Sequence, residues 1–334
     1  MIHCREFEFI SRIAKKFQTS QNPHVIRAIG DDAAVIRSAG RDAFVFTTDS
    51  LAEDVHFTFP FDSPYAIGWK SLVASLSDVA AMNASPVAAV VAVAFPKKTK
   101  KSVILKMYDG IAGASKEYDC PIVGGDTTSS KGGIFISVSM LGKGSQSRMT
   151  YRSGSKPGDL VCVTGDLGRC HAALMLSAKT QKTFRGALAR DILYKHNHPA
   201  PRFDVLRALR RARIHPTAMI DISDGLSSEL HHLANNSAVG INAIGIHIDA
   251  PRIPLHPSTI AFANRRRENP VGWALQSGEE YELLFTIEPM HARAISRIGD
   301  VTVIGTITEE KGVWMTHDSD SKRSRLVAAG YVHF

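Results

Sequence analysis

Residues 122–128 read IVGGDTT, so an apolar stretch passes directly into two glycines, a carboxylate and two hydroxyls. Glycine lets a backbone turn tightly or approach a ligand closely, and Asp126, Thr127 and Thr128 add hard oxygen atoms of the kind that magnesium binds. Turn chemistry alone accounts for many such segments, because Gly, Asp and Thr all favour loops. A functional interpretation therefore depends on whether the pattern recurs elsewhere in the chain.

Carboxylates beside apolar or small residues recur at five places. These are Asp31 and Asp32 in GDDAAVI, Asp49 in TTDS, Asp78 in SLSDVAA, Asp126 in GGDTT, and Asp221 with Asp224 in DISDG. Carboxylates that converge without partners repel one another, so convergence requires cations. Oxygen ligands without nearby His or Cys match Mg²⁺, and several Mg²⁺ sites indicate a polyphosphate such as a nucleoside triphosphate.

The usual phosphate-binding loops are missing from the sequence. There is no GxxxxGK[ST] motif of a P-loop enzyme and no HRD or DFG motif of a protein kinase. The stretch LGKGSQSR at 141–148 has two glycines in register but lacks the third glycine and the following helix of a dinucleotide-binding fingerprint. We therefore expect metal ions and basic side chains to hold the phosphates.

The composition is that of an ordinary globular protein. The 334 residues, 44% of them hydrophobic and 22% charged, suffice for two domains. The longest apolar run, VAAVVAVAF at 87–95, is about half the length of a membrane-spanning helix and predicts a buried strand. The N-terminal stretch lacks the apolar core of a signal peptide, so we expect a cytoplasmic protein without membrane contact. The four cysteines are scattered without CxxC pairing, which argues against a zinc site or a disulfide framework.

The net charge of +8 fits several partners: nucleic acid, an anionic membrane surface or small phosphorylated substrates. The triple arginine at 265–267 has no interleaved aromatic residues, so we interpret it as solvated surface and expect no nucleic-acid partner. A non-catalytic basic RNA-binding protein is still an alternative at this point. It predicts tight polynucleotide binding with a steep salt dependence and no dependence on the aspartates.

Helical and extended patterns alternate along the chain, which predicts an α/β or α+β protein. Strands are expected at 43–46, 87–95, in the run into 122–128, at 133–141, at 160–165 and in the run into 221, with helices at 65–82, 102–117, 172–176, 203–211 and after 225. The stretch YRSGSKPGD at 151–159 is rich in Gly, Ser, Pro and charge and is typical of a hinge. We expect domains over 1–145 and 146–334.

Seven separated motifs, in this order, closely resemble those of the thiamine-monophosphate kinases. They are AIGDDAAV (28–35), TTDSLAEDVHF (47–57), KSLVASLSDVAAMNASP (70–86), IVGGDTT (122–128), YRSGSKPGDLVCVTG (151–165), IDISDGLSSEL (220–230) and SGEEYELLF (277–285). This family belongs to a superfamily that also holds aminoimidazole ribonucleotide synthetase and selenophosphate synthetase. The resemblance covers nearly the whole chain, from about Glu6 to Phe334.

The resemblance implies a two-domain PurM-like fold of the α/β (α+β) class. The N-terminal domain would bind ATP and Mg²⁺ and form a homodimer in which the N-terminal sheets of two chains close into a barrel, and the C-terminal domain would be PurM-like. The implied activity is ATP-dependent phosphorylation of thiamine phosphate to thiamine diphosphate by direct in-line transfer, assisted by several Mg²⁺ ions. The alternative is another ATP-using enzyme of the same superfamily.

The resemblance also implies roles for individual residues. The Mg²⁺ ligands are Asp32, Thr47, Thr48, Asp49, Asp78, Asp126, Asp221 and Asp224. The ATP contacts are Gly125, Asp126, Arg152, Ser223 and, from a helix that matches only loosely, Tyr108. The thiamine substrate is contacted by His56, Glu279 and Tyr331. The expected catalytic residues are Arg152 and Asp126.

Two segments depart from the family pattern. The stretch RCHAAL at 169–174 stands where a small acidic-polar sequence is usual, and GEEYE at 278–282 replaces Gly-Glu-Asp-Tyr-Glu. The other branches of the superfamily fit less well. Selenophosphate synthetase would show an N-terminal Cys near a catalytic Lys, and the hydrogenase maturation relative a C-terminal cysteine, whereas the last cysteine here is Cys170.

Overall fold

The computed structural model describes residues 6–17, 22–176, 186–237, 244–317 and 322–331, which fold around two sheets. The N-terminal unit contains α1 (Glu6–Lys16), β1 (Val25–Arg27), β2 (Ala34–Arg37), β3 (Asp42–Ala52), α2 (Pro64–Ala81), β4 (Ser85–Pro96), α3 (Lys101–Glu117), β5 (Ile122–Ser130) and β6 (Phe135–Ser145). The C-terminal unit contains β7 (Leu160–Thr164), α4 (Arg169–Met175), α5 (Ala187–Asn197), α6 (Phe203–Arg211), β8 (Ala218–Asp221), α7 (Leu226–Ser237), β9 (Gly245–Asp249), α8 (Pro257–Arg266), α9 (Pro270–Gln276), β10 (Leu283–Ile287), α10 (Ala292–Ile295), β11 (Val301–Thr308), β12 (Gly312–Thr316) and β13 (Arg323–Arg325). The predicted α/β fold class is confirmed.

The N-terminal sheet has the strand order β1-β2-β3-β6-β4-β5. At its centre, β3 pairs antiparallel with β6, and β5 lies parallel to β4 at the edge. The predicted strand at 43–46 continues to Ala52, because the alternation of buried and exposed residues persists through TTDS. Thr47 is therefore buried while Thr48 is exposed on the opposite face.

Helix α2 packs on one face of this sheet. The helix begins after Ser63, whose hydroxyl accepts a hydrogen bond from the Ala66 N–H at 3.1 Å. Its Leu72, Leu76 and Val79 are fully buried in the core that this helix forms with the sheet. The helix therefore presents a fixed face to the strand ends that carry the aspartates.

Helices α2 and α3 approach each other without a layer of side chains between them. A Cβ added at Gly68 would lie 1.8 Å from the Met107 carbonyl oxygen, and one added at Gly110 would lie 2.0 Å from the Tyr65 carbonyl oxygen. Only glycine fits at either position, since no side chain tolerates a contact this short with backbone. The two helices form a closely joined pair.

The structure corrects the turn interpretation of IVGGDTT. All seven residues lie in β5, a continuous edge strand. A Cβ at Gly125 would lie 1.9 Å from the Val91 carbonyl oxygen, so the glycine is required by the close approach of β5 to β4. The side chain of Asp126 lies on the face opposite α2, in the cross-strand row of Ala92, Ser137 and Ser50.

The face of the sheet opposite α2 is open and carries exposed apolar side chains among polar ones. Phe46, Val90 and Phe135 lie on this face and are 41% to 47% exposed. The prediction that residues 87–95 are buried is therefore wrong for alternate residues of β4. Val91 and Val93 point to the core and are 2% and 3% exposed, whereas Val90 points outward.

The C-terminal sheet has the strand order β13-β12-β9-β11-β7-β10-β8. Helices cover both of its faces: α7 and α9 share one apolar cluster with β8 and β9, and α6 packs against β10 in another. Strand β10 is buried at every position for this reason. Helix α5 was not predicted from the sequence.

Helix α2 joins the two units. Its Ala80 and Ala81 belong to the same apolar cluster as Phe285 of β10. The Trp69 indole donates a hydrogen bond to the Pro199 carbonyl at 2.9 Å. A single helix thus packs on the N-terminal sheet and against the C-terminal unit. None of the helices in the described residues is long and apolar enough to cross a membrane.

Candidate active site

Three buried or half-buried aspartates meet where α2 crosses the end of β8. One carboxylate oxygen of each of Asp32, Asp78 and Asp221 lies within 4.8 Å of the others. Asp32 follows β1, Asp78 lies in the last turn of α2, and Asp221 ends β8. We call these three residues the aspartate cluster.

Short hydroxyl side chains orient the carboxylates. Thr47 donates a hydrogen bond to Asp78, and Ser77 donates to Asp221 Oδ2 at 2.7 Å. A fourth carboxylate, Asp49, accepts a hydrogen bond from Ser75 at 2.9 Å. The small residues that the sequence places before Asp78 therefore hold the acidic groups as well as making room for them.

Burial and mutual repulsion disfavour the charged forms of these groups. Burial raises the pKa of Asp78 well above its ordinary value, and the charges of Asp49, Asp221 and Asp32 raise it further. Burial, followed by the Asp32 charge, raises the pKa of Asp221 in the same way. The group of carboxylates therefore needs additional positive charge to be stable in its ionised form.

Arg152 supplies one positive charge to this group. Its guanidinium contacts Asp32 Oδ1 from two nitrogens, at 2.7 and 3.1 Å. The second oxygen of Asp32 is buried and has no hydrogen-bond donor among the described residues. An oxygen-only ligand set with an unpaired buried carboxylate oxygen fits Mg²⁺.

A cavity of about 780 Å³ extends from the aspartate cluster along α2. It brings together most of the predicted site residues, namely Asp32, Thr47, Thr48, Asp49, Asp78, Arg152, Asp221, Ser223, Asp224, His56, Glu279 and Tyr331. Residues proposed for metal, nucleotide and thiamine thus share one space. Its volume is in the range of sites for small-molecule ligands.

Three predicted ATP contacts lie outside this cavity. Gly125 and Asp126 are in β5, three strands away from β3 in the sheet. Ser50 of β3 lines the cavity, and three strand spacings put Asp126 about 14 Å from it. Tyr108 is half-buried in α3, packed against the N-terminal core. Within one chain, none of these residues joins the aspartate cluster.

The far end of the cavity is built on the segment Ser277–Glu282. The backbone N–H of Glu279 donates to the Ser223 carbonyl at 2.7 Å, and that of Tyr281 donates to the Ile222 carbonyl at 2.9 Å. Both residues have left-handed φ angles, 57° and 51°, which turn Glu279 into the cavity. The Glu279 carboxylate is paired with Lys70 of α2 at 2.7 Å.

The other two glutamates of GEEYE have structural partners. Glu280 Oε1 accepts hydrogen bonds from the Gly168 N–H and the Ser277 hydroxyl, at 2.7 and 2.6 Å. Glu282 is paired with Lys195 and Arg202 at 2.8 and 2.7 Å. The departure of GEEYE from the family pattern therefore falls on a buried glutamate that holds the start of α4.

Two more predicted substrate contacts are fixed by backbone bonds. His56 Nδ1 accepts a hydrogen bond from the Ala52 N–H at 3.1 Å, so the neutral ring carries its proton on Nε2. The Tyr331 N–H donates to the Asp224 carbonyl at 2.9 Å. The C-terminal segment is thereby tied to DISDG, one of the predicted metal motifs.

Sequence analysis missed several residues that line the cavity or lie directly behind its wall. Lys70 could have been found, since it and Asp78 are the only charged residues of α2 and a charge on an otherwise apolar helix is a signal of function. His171 and Leu174 line the cavity from α4, within the RCHAAL segment that departs from the family pattern. The His171 ring lies 5.4 Å from the Trp273 ring, and burial lowers its pKa.

Comparisons with known proteins show the family of this chain. The models of the AIR synthase related protein family match the chain in both parts, the N-terminal domain over residues 30–143 and the C-terminal domain over residues 156–318. Thiamine-monophosphate kinase of Bacillus subtilis (strain 168) is 32% identical over 98% of this chain and 99% of its own. That of Pyrococcus horikoshii is 34% identical over 100% of this chain and 97% of its own.

Solved structures give the same result. A structure described as AaThiL complexed with AMPPCP and TMP has a TM-score of 0.86, with 31% identity over 99% of this chain and 97% of that one. Thiamine monophosphate kinase from Aquifex aeolicus has a TM-score of 0.78, with 29% identity over 96% of this chain and 99% of that one. The chain belongs to the thiamine-monophosphate kinase family of AIR synthase related proteins.

Proposed function

We propose that the protein transfers the γ-phosphoryl group of ATP to the phosphate of thiamine phosphate, giving thiamine diphosphate. The observation that carries this proposal is the single cavity with an aspartate cluster at one end and the paired carboxylate of Glu279 at the other. A full-length relative was solved with an ATP analogue and TMP. A cavity lined by aspartates does not suit a polynucleotide, so the RNA-binding alternative has no support here.

The aspartates would hold Mg²⁺ together with Thr47. The proposed ligands within one chain are Asp32, Thr47, Asp49, Asp78, Asp221 and Asp224. Thr48 also lines the cavity, but its hydroxyl lies on the opposite face of β3, 3.1 Å from the Ser139 hydroxyl. Bound Mg²⁺ would neutralise the phosphates of ATP and stabilise the charge that develops during transfer. ATP and Mg²⁺ are cytoplasmic, and we propose the same location for the protein.

We propose direct transfer, and the chemistry of the acceptor supports it. The acceptor is a phosphate oxygen that is already ionised near neutral pH, so the reaction requires no general base. Cys170 is buried, and burial raises the pKa of its thiol well above the ordinary value, which removes it as a nucleophile. Arg152, which is paired with Asp32, would bind the transferring phosphoryl group. The chain contributes alignment and charge.

The assay of this function uses the purified protein with ATP, Mg²⁺ and either thiamine phosphate or free thiamine. We expect thiamine diphosphate from the first and little product from the second, because the hydroxyl of thiamine is not ionised and no base activates it. Product mass identifies the acceptor, and acid quenching with labelled ATP tests for a phosphoprotein. Equal rates with both acceptors, or a trapped phosphoprotein, would contradict direct transfer.

We further propose that the protein is a homodimer in which the open faces of two N-terminal sheets pack together. The exposed Phe46, Val90 and Phe135 support this, since several large apolar side chains exposed on one sheet face are typical of an interface. Packing two such faces would close the sheets into a barrel. Light scattering at micromolar concentration measures the mass directly, and a strict monomer would contradict the proposal.

The position of Asp126 gives the dimer a functional consequence. Asp126 lies on the open face, remote from the aspartate cluster of its own chain. We propose that Asp126, with Gly125, contributes to the ATP site across the dimer interface, so that each site draws on two chains. Asp78→Asn would then inactivate the site of its own chain, and Asp126→Asn would inactivate the site of the partner chain.

Co-expression of the two inactive variants tests this sharing. A mixed dimer has one site with both aspartates intact and one with neither, so a random mixture should recover about one quarter of the wild-type activity. Each variant alone should be inactive. Mixtures no more active than either parent would show that Asp126 acts within its own chain or not at all.

A further inference from the structure

Lys70 is a buried cation on a helix that is otherwise apolar or small until Asp78. Its side chain is 3% exposed, and Nζ donates to Glu279 Oε2 at 2.7 Å. Burial lowers the pKa of Lys70, but the Glu279 charge and, more weakly, that of Asp62 outweigh this and leave the pKa above its ordinary value. An ammonium group taken out of water is tolerated only beside such a compensating charge.

Glu279 uses only one of its two carboxylate oxygens in this pair. Oε1 is buried and has no hydrogen-bond donor among the described residues, although the residue lines the cavity. The backbone at Glu279 is left-handed, and its N–H is bound to the Ser223 carbonyl, so neither the main chain nor the paired oxygen can turn away. Oε1 is therefore an acceptor that lacks a donor until a ligand supplies one.

Helix α2 sets the distance between this pair and the aspartate cluster. Lys70 and Asp78 are eight residues apart, which corresponds to about 12 Å along a helix. Ala74, midway between them, lines the cavity, so the intervening face of the helix is its wall. A ligand with a phosphate at one end and nitrogen-containing rings at the other spans such a distance.

We propose that Lys70 is a positioning residue that orients the Glu279 carboxylate so that Oε1 binds the cationic, N–H-bearing ring system of the acceptor. This inference rests on the proposed function and adds to it the source of selectivity for thiamine phosphate over other phosphate monoesters. Lys70 acts through Glu279 and does not touch the reacting phosphates. It should therefore affect the binding of the acceptor and leave that of ATP unchanged.

The experiment compares Lys70→Met, Glu279→Gln and the double variant with the wild type. Turnover gives KM for thiamine phosphate and for ATP, and calorimetry with thiamine phosphate alone gives its Kd. Lys70→Met should weaken thiamine phosphate binding roughly tenfold or more, the size of one hydrogen bond to a charged group, with the KM for ATP within about twofold of the wild type. In the Glu279→Gln background, the same substitution should cause no further loss.

Trp69→Phe is the matched control for loosened packing between the two units. It removes the neighbouring hydrogen bond from α2 to the Pro199 carbonyl and leaves the cavity intact. It should lower the Tm without changing the Kd for thiamine phosphate. If Lys70→Met does not fold, the double variant is used instead, because it contains no unpaired charge. Its Kd for thiamine phosphate should equal that of Glu279→Gln.

Three results would overturn the inference: an unchanged Kd in Lys70→Met, a further loss in the double variant, or an equal loss in Trp69→Phe. Each of these leaves wild-type turnover intact, so the proposed function would stand. A wild-type protein that neither binds nor phosphorylates thiamine phosphate would overturn the function and this inference together.

Discussion

Asp78→Asn should lower kcat/KM by on the order of a hundredfold or more while the chain stays folded. Asp78 is one of three carboxylates whose oxygens lie within 4.8 Å, and it is the one carried by α2. Neutralising it weakens the affinity of the cluster for Mg²⁺, so higher Mg²⁺ should restore part of the loss. Asp109→Asn, the same chemical change on the exposed surface of α3, is the control and should leave turnover unchanged.

Near-normal turnover of Asp78→Asn at low Mg²⁺ would contradict the metal assignment. Steady-state kinetics as a function of Mg²⁺ concentration makes the distinction. A loss that Mg²⁺ does not relieve at all, together with a lowered Tm, would indicate that Asp78 has a packing role.

The same substitution should stabilise the metal-free protein near neutral pH. Burial, followed by the charges of Asp49, Asp221 and Asp32, raises the folded-state pKa of Asp78 above its ordinary value of 3.8. The folded chain therefore binds this proton more tightly than the unfolded chain, so the wild type gains stability as pH falls through the folded-state pKa towards 3.8. Thermal denaturation with a chelator should show Asp78→Asn more stable at pH 8 and a smaller difference at pH 5. A difference that grew with acid would contradict this.

Val91→Lys should abolish folding. Val91 is 2% exposed in the core beneath α2, and burying an unpaired ammonium there costs several kcal/mol, a large part of the 5–15 kcal/mol that stabilises a typical domain. Val90→Lys makes the same change one residue earlier, on the open face, where Val90 is 41% exposed. This variant should fold normally and be a monomer.

Circular dichroism and light scattering together separate the two outcomes. A folded Val91→Lys protein would show that β4 is not packed as described. A dimeric Val90→Lys protein would show that the open face is not the subunit interface.

The convergence of Asp32, Asp78 and Asp221 was predictable from sequence because their surroundings are informative. Asp221 ends an apolar run and Asp78 follows small residues, and the recurrence of this pattern suggested carboxylates that converge around cations. The structure brings them together as expected. The prediction rested on the repeated occurrence of aspartate beside apolar or small residues.

The position of Asp126 was not predictable in the same way. Sequence does not show which face of a strand a helix will cover, and a shift of one residue moves a side chain to the other face. Gly125 was also ambiguous, because a glycine can indicate either a turn or a close approach of two strands. In the structure it permits the close approach of β5 to β4. The pairing of Lys70 with Glu279 joins residues 209 positions apart, and no local pattern reveals such a contact.

The close fit of α2 against α3, through Gly68 and Gly110, makes α2 a rigid spacer. Neither end of the helix can shift along the cavity without breaking backbone contacts on its other side. Under the proposed function, the site would therefore select its acceptor by length as well as by chemistry. An acceptor longer by one phosphoryl group cannot keep its rings at Glu279 and still leave room at the aspartate cluster for a second ATP. Phosphorylation should then end after one transfer, because the terminal phosphate of the product occupies the position that the γ-phosphate of a second ATP would need.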